Sequence, residues 1–565
     1  MLKQVLRKIS RRFRTSKPVT IDSIIATASG FEVAGWYDTA QVSSVSLIDI
    51  SGKDVEAEIE SVARPDVIQA TGKHGQGFHI LSAAGNDLSQ FHLSIELTNG
   101  KRTSVALSGA TAAVAQRLDF SPTEDVHDGL VGKLEFAVYT DKHVFVSGWL
   151  LDNNSIDSIA ISDSSGKALT AKATILRYGR KDVADAFKGT LGVSSAGLAV
   201  LFELEQPGEI PAKLYVDLNV DDVTHRIKVA DVFNGVSDPL TSIKRVLGPW
   251  KPGNRNHLLK ADELILPVLY ELFPADKLAK AQSIQFGHIP ASPKASVIIP
   301  LYGRIDFMRF QLSNFNRHKS LDDYDIIYVL DDPSLRGKAL RLAKEMHKIL
   351  GISFRLLLLS ENMGFGKANN IGVAHAKSDN LILLNSDILP SDSSWADELI
   401  TVLNDKSDAG LVGARLLFED GSMQHDGMVP MHVSEYPGLL FNDHPGKGWP
   451  VTLSPHKAEL AECPLVTAAC VAIKTSLYNE LGGFDPAYVL GDFEDSDLCL
   501  KAIKAGKVNY IRRDTVLYHL ERQSQNLVEA GDWKHKVTLL NAITFNNRWA
   551  DNLAELFSLG KEVNR

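Results

Sequence analysis

Between Ser296 and Asn385 the chain alternates short runs that are apolar at almost every position with longer stretches whose apolar residues recur every three or four. The runs are SVIIPL (Ser296 to Leu301), DIIYVL (Asp325 to Leu330), FRLLLL (Phe354 to Leu359) and LILLN (Leu381 to Asn385). Runs this short and uniform predict strands buried on both faces, as in a parallel sheet covered by helices. The stretches DFMRFQLSNFNRH, SLRGKALRLAKEMHKIL and KANNIGVAHAK predict the covering helices, and together they make an open α/β fold. A further helical stretch, WKHKVTLLNAITFNNRWADNLAELF, is expected to pack on it.

Ahead of this region the period changes. From Ile21 to Val232 short alternating strands are separated by Gly, Asn, Asp and Ser turns, and the order of motifs occurs twice. FEVAGWYD is echoed by VFVSGWLLD, DISGK by DSSGK, and ARPDV by GRKDV. Duplication of a β-rich module is expected, giving two β-sandwich-like domains in tandem. Trp36 and Trp149, each following a glycine, are either core residues of these strands or platforms for the apolar face of a sugar. Residues 1–20 form a basic amphipathic tail, 21–117 and 118–240 the two β-rich modules, 241–292 a helical connector, 293–525 the α/β domain and 526–565 a C-terminal helical segment.

Composition narrows the partners. A net charge of -9 over 565 residues disfavours nucleic-acid binding, which depends on basic patches. The exception is the tail, where residues 1–17 hold seven Lys or Arg and no acid, with apolar residues at helical spacing; it reads as a contact with an anionic membrane surface, a solvated terminus, or a helix docked on the protein's own acidic surface. Cys463, Cys470 and Cys499 match neither a disulfide framework nor a zinc pattern and read as core residues in a reducing compartment. No segment has the apolar length of a membrane span, and a cytoplasmic location is expected, peripheral at the inner face of the plasma membrane if the tail makes the membrane contact.

Open α/β sheets bind ligands beyond the carboxyl ends of their strands. Those ends carry Tyr302-Gly303-Arg304, Asp331-Asp332, Glu361-Asn362 before GFGKANN, and Asn385-Ser386-Asp387, so polar groups converge on one edge. A P-loop is excluded, because Glu361 and Ala368 stand where it needs Gly and Ser or Thr. The first strand also lacks the Gly-rich turn of a dinucleotide fold.

The ordered motifs SVIIPLYGR, VLDDPS, NMGFGKANNIG, LLNSDI, GGFDPAYVLGDFEDSDLCLKA and YHLE resemble the inverting glycosyltransferase family 2, which has the GT-A fold, over roughly Ala295 to Gln525. The chain is similar to bacterial rhamnosyltransferases and other polysaccharide or O-antigen transferases. The resemblance implies transfer of a sugar from a UDP-, dTDP- or GDP-sugar to a glycan or lipid-linked glycan acceptor. It places Pro300, Tyr302 and Arg304 along the nucleotide, Asp331 near its base or ribose, and Asn362, Gly364, Lys367 and Asn369 near the diphosphate, with Ser386 also on the donor side.

Charge accumulates on the leaving diphosphate, and a hard divalent cation stabilises it. Asp387 stands in the place of the family's Asp-x-Asp motif as a ligand to Mg2+ or Mn2+, with His519 matching the family's downstream histidine that completes the metal shell or touches the diphosphate. This chain departs from the motif at its first member, Asn385, and has Lys501 where relatives often carry Arg. The acceptor hydroxyl must also lose a proton. In VLGDFEDSDLCLKA four acids crowd ahead of a helical pattern; by similarity Asp495 is the general base, with Glu494 positioning the acceptor or sharing the role. The remaining acids suit the first turn of a helix. His425 and Asp426, in GSMQHDG, are acceptor-side candidates. Two rivals are a binding scaffold with a degenerate transferase domain and a nucleotidyltransferase. The latter needs a Gly-rich basic loop after the first strand that LYGRIDF lacks.

Overall fold

In the computed structural model each of the four apolar runs is a strand, and all four belong to one sheet. The description covers residues 19–553 except 28–29, 64–74, 83–89, 108–125, 128–129, 152–155, 188–195, 208–209, 221–222, 253–254, 434–435, 437–438, 455, 457 and 521–531. Most of the basic tail, and ARPDV beyond Ala63, therefore lie outside the described residues. The chain divides into two compact units, Met1–Leu272 and Phe273–Arg565. Among the described residues no helix is long and apolar enough to cross a membrane.

The first unit contains two β-rich blocks with one strand order. In the first block Val19–Thr27, Gly30–Asp38, Gly75–Ser82 and Glu58–Ala63 form one antiparallel sheet in that order, and Val42–Asp49, Phe91–Leu97 and Arg102–Ala106 a second. The second block repeats this with Leu130–Tyr139, His143–Leu151, Gly197–Leu204 and Thr170–Tyr178, and with Ser158–Ser162, Tyr215–Val220 and Val223–Asn234. Here the last strand also pairs in parallel with the first, from Val229↔Leu134 to Asn234↔Tyr139, and joins the two sheets.

The echoed turns match atom for atom. Asp49 Oδ1 accepts from Ser51 N at 2.8 Å, Ser51 Oγ at 2.6 Å and Lys53 N at 3.0 Å. Asp163 Oδ1 accepts from Ser165 N at 2.8 Å, Ser165 Oγ at 2.6 Å and Lys167 N at 3.1 Å. The following Gly52 and Gly166 take φ of 86° and 89°, which only glycine adopts at little cost. Trp36 and Trp149 are half-buried, each opposite a glycine of the neighbouring strand, Gly77 and Gly197. Trp149 packs on Phe187 with ring centroids 5.2 Å apart. The stretch expected as a connector is divided: helices between Pro239 and Leu272 belong to the first unit, whereas Ala281–Phe286 is an edge strand of the second.

In the second unit, β1 (Ala281–Phe286), β2 (Ser296–Leu301), α1 (Asp306–His318), β3 (Asp325–Leu330), α2 (Arg336–Leu350), β4 (Phe354–Leu359), α3 (Phe365–Val373) and β5 (Asn380–Leu384) open the fold. They are followed by β6 (Ile388–Pro390), α4 (Trp395–Asp405), β7 (Ala409–Leu417), β8 (Met423–His425), β9 (Cys470–Lys474), α5 (Glu494–Lys504), β10 (Val508–His519) and α6 (Asp532–Trp549). The sheet order is β1-β4-β3-β2-β5-β9-β7-β10-β6, with β8 on β7.

The period of two along the strands sorts side chains between two cores. Val297, Ile299, Leu301, Ile326, Tyr328 and Leu330 face α1, α2 and α4, whose Met308, Ala343 and Trp395 fill that side. Ile298, Ile327, Val329, Leu357 and Leu359 face α3, α5 and α6 through Ala368, Leu498 and Phe545. Burial on both faces is why these runs carry no polar alternation. All three cysteines are free and buried.

Candidate active site

β2 lies between β3 and β5, parallel to both, so the chain steps to one side after β2 and to the other after β4. A crevice opens at such a switch point beyond the strand ends. Tyr302 and Arg304 follow β2, Asp331 follows β3, Asn362 and Gly364 follow β4, and Asn385, Ser386 and Asp387 follow β5.

Asp331 is 3% exposed and accepts from Met363 N at 2.6 Å and Gly364 N at 2.8 Å. Burial pushes its pKa up to about 7; the two amides oppose the rise and Asp332 adds to it. Gly364 takes φ 80° as the residue before α3, and a Cβ there would lie 3.0 Å from Leu490 Cα, so both conformation and space require glycine. Asn362 Oδ1 accepts from Gly364 N at 3.1 Å, and the Asn362 side chain also hydrogen-bonds Tyr302. Pro300 and Ser386 are half-buried along this edge. Arg304 pairs with Asp306 and lies 4.4 Å from the Phe307 ring centroid; the charge of Asp387 helps hold the guanidinium protonated.

Two expected donor-side residues face elsewhere. Lys367 gives its ammonium to the carbonyl of Pro274 at 2.5 Å, and burial lowers its pKa. Asn369 is fully buried and donates to Phe365 O within α3, while its Oδ1 has no partner among the described residues.

Asp387 and His519 meet across β6 and β10, where Ile388 pairs with His519, and His519 Nε2 lies 3.3 Å from Asp387 Oδ1. Gln424 Oε1, on β8, lies 2.9 Å from His519 Nδ1. A hydrogen on Nδ1 given to Gln424 leaves the Nε2 lone pair facing Asp387. Two residues earlier, the buried Asn385 Oδ1 has no hydrogen-bond partner among the described residues. A carboxylate, an imidazole nitrogen and an unsatisfied amide oxygen are a donor set that suits Mg2+ or Mn2+ when substrate phosphates supply the remaining ligands. Among the described residues no group of three His, Cys, Asp or Glu stands ready to hold a metal unaided.

The acids of the second carboxylate group have four different fates. Asp495 Oδ2 accepts from Ala468 N at 3.1 Å and Oδ1 from Ser496 N at 2.8 Å. Burial raises its pKa against the pull of these amides and Thr467. Glu494 is 5% exposed, its Oε2 finds no partner among the described residues, and burial with the charges of Asp495 and Asp492 pushes its pKa well above the usual range. Of the adjacent pair, Asp495 is thus the one that carries charge more readily. Asp497 is fully buried and structural, taking hydrogen bonds from Tyr488 (3.1 Å), Arg548 (2.7 Å) and Trp549 (2.9 Å) and an ion pair from Lys501 (2.8 Å). Asp492, exposed, accepts from Thr538 Oγ1 at 2.5 Å.

The run leading into α5 is unusual: Leu490, Gly491, Asp492 and Phe493 have φ of 65°, 146°, 83° and 74°. Holding a non-glycine residue there costs about 1–3 kcal/mol.

On the acceptor side, His425 is 1% exposed, its Nδ1 lies 3.1 Å from His444 Nδ1, and burial with the neighbouring His444 and His519 pushes its pKa far below the usual value. Asp426 is taken up internally by Arg513 (2.8 Å), Arg415 (3.3 Å) and Ser454 (3.1 Å). Gln424, His444, Thr467 and Ala468 belong to the site and were not anticipated. Gln424 lies beside the two acceptor-side candidates in GSMQHDG, but in the sequence nothing sets it apart from a surface glutamine, because its contact with His519 comes from a strand remote in sequence.

Residues 296–437 match the model for glycosyl transferase family 2. Uncharacterized protein y4gI of Sinorhizobium fredii is 28% identical over 239 residues, 41% of this chain and 25% of that protein. O-antigen biosynthesis protein RfbC of Myxococcus xanthus is 28% identical over 251 residues, 43% of this chain and 19% of that protein. The matched region thus spans a quarter or less of either relative. Among solved structures, GalNAc-T7 with UDP, GalNAc and Mn2+ is 18% identical, with 46% of this chain and 49% of that chain covered and a TM-score of 0.34. Mannosyltransferase PcManGT from Pyrobaculum calidifontis, in complex with GDP-Man and Mn2+, is 18% identical, with 49% and 71% covered and a TM-score of 0.30. Residues 296–437, which bear Asp331 and Asp387, are therefore a glycosyl transferase family 2 segment within the second unit, and Asp495 lies beyond the matched residues.

Proposed function

We propose that this chain is an inverting glycosyltransferase that moves one sugar from a nucleoside-diphosphate sugar to a glycan acceptor in surface polysaccharide synthesis. One observation carries the reading: two carboxylate centres with different partners share a single backbone tie. Asn385 N donates to Ala469 O at 2.8 Å, and the adjacent Ala468 N donates to Asp495 Oδ2 at 3.1 Å. The segment 467–469 thereby holds the Asp387/His519 pair and the base in one frame, which suits a reaction with separate demands at its two ends.

At the leaving-group end Asp387 and His519 would hold Mg2+ or Mn2+, with Asn385 Oδ1 available beside them; the bound cation supplies charge stabilisation for the departing diphosphate. Gln424 keeps the imidazole in the tautomer that can ligate. The N-terminus of α3 follows β4, and its positive end favours the diphosphate there, while the N–H groups of Met363, Gly364 and Phe365 are taken by Asp331 and Leu490. Tyr302, Asn362 and Asp331 lie where the nucleoside would rest. At the other end Asp495 takes the proton of the acceptor hydroxyl as it attacks C1 from the face opposite the diphosphate, which inverts the anomeric centre. Glu494, more readily neutral, adds no second negative charge beside that base. The same reading takes the two β-rich blocks as duplicated β-sandwich modules serving as scaffold, and residues 1–17 as a membrane-surface contact on the cytoplasmic side.

The test is a thermal-shift panel of UDP, GDP, dTDP and CDP, with and without Mn2+, on wild type and Asp387→Ala. A ligand that binds the native state raises its melting temperature with ligand excess. A selective shift that grows with Mn2+ and disappears in the variant is expected. No shift with any nucleotide, from folded protein, would instead leave a binding scaffold as the better reading.

A further inference from the structure

We propose that α6, which lies beyond the family-matched segment, is a working part of the catalytic centre, with Asn541 as a positioning residue that holds the left-handed run 490–493 from which Glu494 and Asp495 are presented. This rests on the function proposed above.

Glycine and, more weakly, aspartate tolerate positive φ, but Leu490 and Phe493 disfavour it, so residues 490–493 do not by themselves keep the backbone there. The hold comes from outside. Asn541, fully buried on α6, donates from Nδ2 to Val489 O at 3.0 Å and to Gly491 O at 2.6 Å, and accepts from Val489 N at 3.0 Å. One side chain thus meets three backbone groups across three residues. One turn away Thr538 Oγ1 donates to Asp492 Oδ2 at 2.5 Å, and Phe545 packs on Phe493 with centroids 5.3 Å apart. Further along, Arg548 and Trp549 both donate to Asp497, in the first turn of α5. α6 therefore grips the residues before the two carboxyls and the residue after them. The opposite side of the run bears on the donor loop, where Phe365 N donates to Leu490 O at 3.1 Å.

A left-handed run freed of these bonds relaxes toward ordinary φ and re-aims the start of α5. Displacement of a base by about 1 Å is enough to slow a reaction by roughly a hundredfold. The residues proposed to bind nucleotide and metal come from the ends of β2, β3, β4 and β5 and from β10, none of which α6 braces through the run, so loss of the brace falls on turnover more than on donor affinity.

The experiment compares full-length wild type with Asn541→Ala, Thr538→Val and Leu403→Ala, the last a buried leucine on α4 across the sheet that lowers stability without touching the run. Three quantities are read: melting temperature, kcat and donor KM with the nucleotide sugar chosen by the thermal-shift panel, and amide hydrogen exchange of residues 489–496. Asn541→Ala is expected to lower kcat by about tenfold or more, with donor KM within about threefold and amide exchange in the run about tenfold faster. Thr538→Val moves the same quantities less, and Leu403→Ala, assayed below its melting temperature, keeps kcat within about twofold. Unchanged kcat in folded Asn541→Ala, or an equal loss in Leu403→Ala, overturns the proposal. Should Asn541→Ala not fold, Thr538→Val decides: unchanged kcat and unchanged exchange overturn it. If the wild type transfers no sugar from any donor, the functional reading fails separately, and exchange still judges the brace, because an unaltered rate in the variants sinks it.

Discussion

Asp331 makes the stability of the second unit depend on pH in a direction opposite to that of most carboxylates. Burial lifts its pKa from 3.8 to about 7. The folded state then holds this proton more tightly than the unfolded chain, so between about pH 4 and 7 it binds more protons and its stability falls as pH rises. The penalty is absent below about pH 4 and reaches about 4 kcal/mol once the group is ionised in both states. Between pH 6 and 8 the change is about 1.4 kcal/mol. Asp331→Asn removes this titration. It also loses an acceptor for one of two backbone N–H groups, at a cost of about 1–3 kcal/mol that does not vary with pH. Urea unfolding at pH 6, 7 and 8, read by pulse proteolysis of fragments from the second unit, gives the difference between variant and wild type at each pH, and other titrating groups cancel. The variant is expected to gain on the wild type by about 1.4 kcal/mol from pH 6 to pH 8. A constant difference, or one that moves the other way, would refute the claim that burial outweighs the two amides.

Three further outcomes follow from the site. Asp495→Asn is expected to lower kcat by about 10²–10⁴-fold while keeping the metal-enhanced nucleotide shift, and wild-type kcat should fall toward low pH through a pKa above that of an ordinary aspartate, since burial raises it. Gln424→Ala, by freeing the His519 ring, should weaken Mn2+ about 10–100-fold, seen as a rightward move in the Mn2+ dependence of the nucleotide-induced melting shift. Asp497→Ala removes the acceptor of the buried Tyr488 hydroxyl and Trp549 N–H, while Arg548 and Lys501 keep Asp485, and should destabilise the second unit by about 1–3 kcal/mol in urea unfolding.

The strands β2 to β5 could be read from the chain because both faces are buried, and continuous apolar runs of that length have few other uses. The positions of Asp331 and Asp387 followed, since a polar residue ending such a run must lie at the sheet edge. The local run does not single out Asp495, because four acids in six positions look alike until their neighbours are known. What divides them is remote: Ala468 for Asp495, Arg548 and Trp549 for Asp497, Thr538 for Asp492. Lys367 and Asp426 illustrate the same limit. Each has the right charge beside a plausible site, and each is taken up by a group distant in sequence, Pro274 and Arg513. The left-handed run could not be read locally either, since its cause is an asparagine fifty residues downstream.

In the second β-rich block, the parallel pairing of Val223–Asn234 with Leu130–Tyr139 has a mechanical consequence. These strands begin and end the block, so tension applied to its two ends pulls them lengthwise past each other. Their slanted, evenly spaced hydrogen bonds then bear load together instead of opening one after another from an end. Such a block resists stretching until a high force is reached and then gives way abruptly, its lifetime under load set by the unfolding rate and not by equilibrium stability.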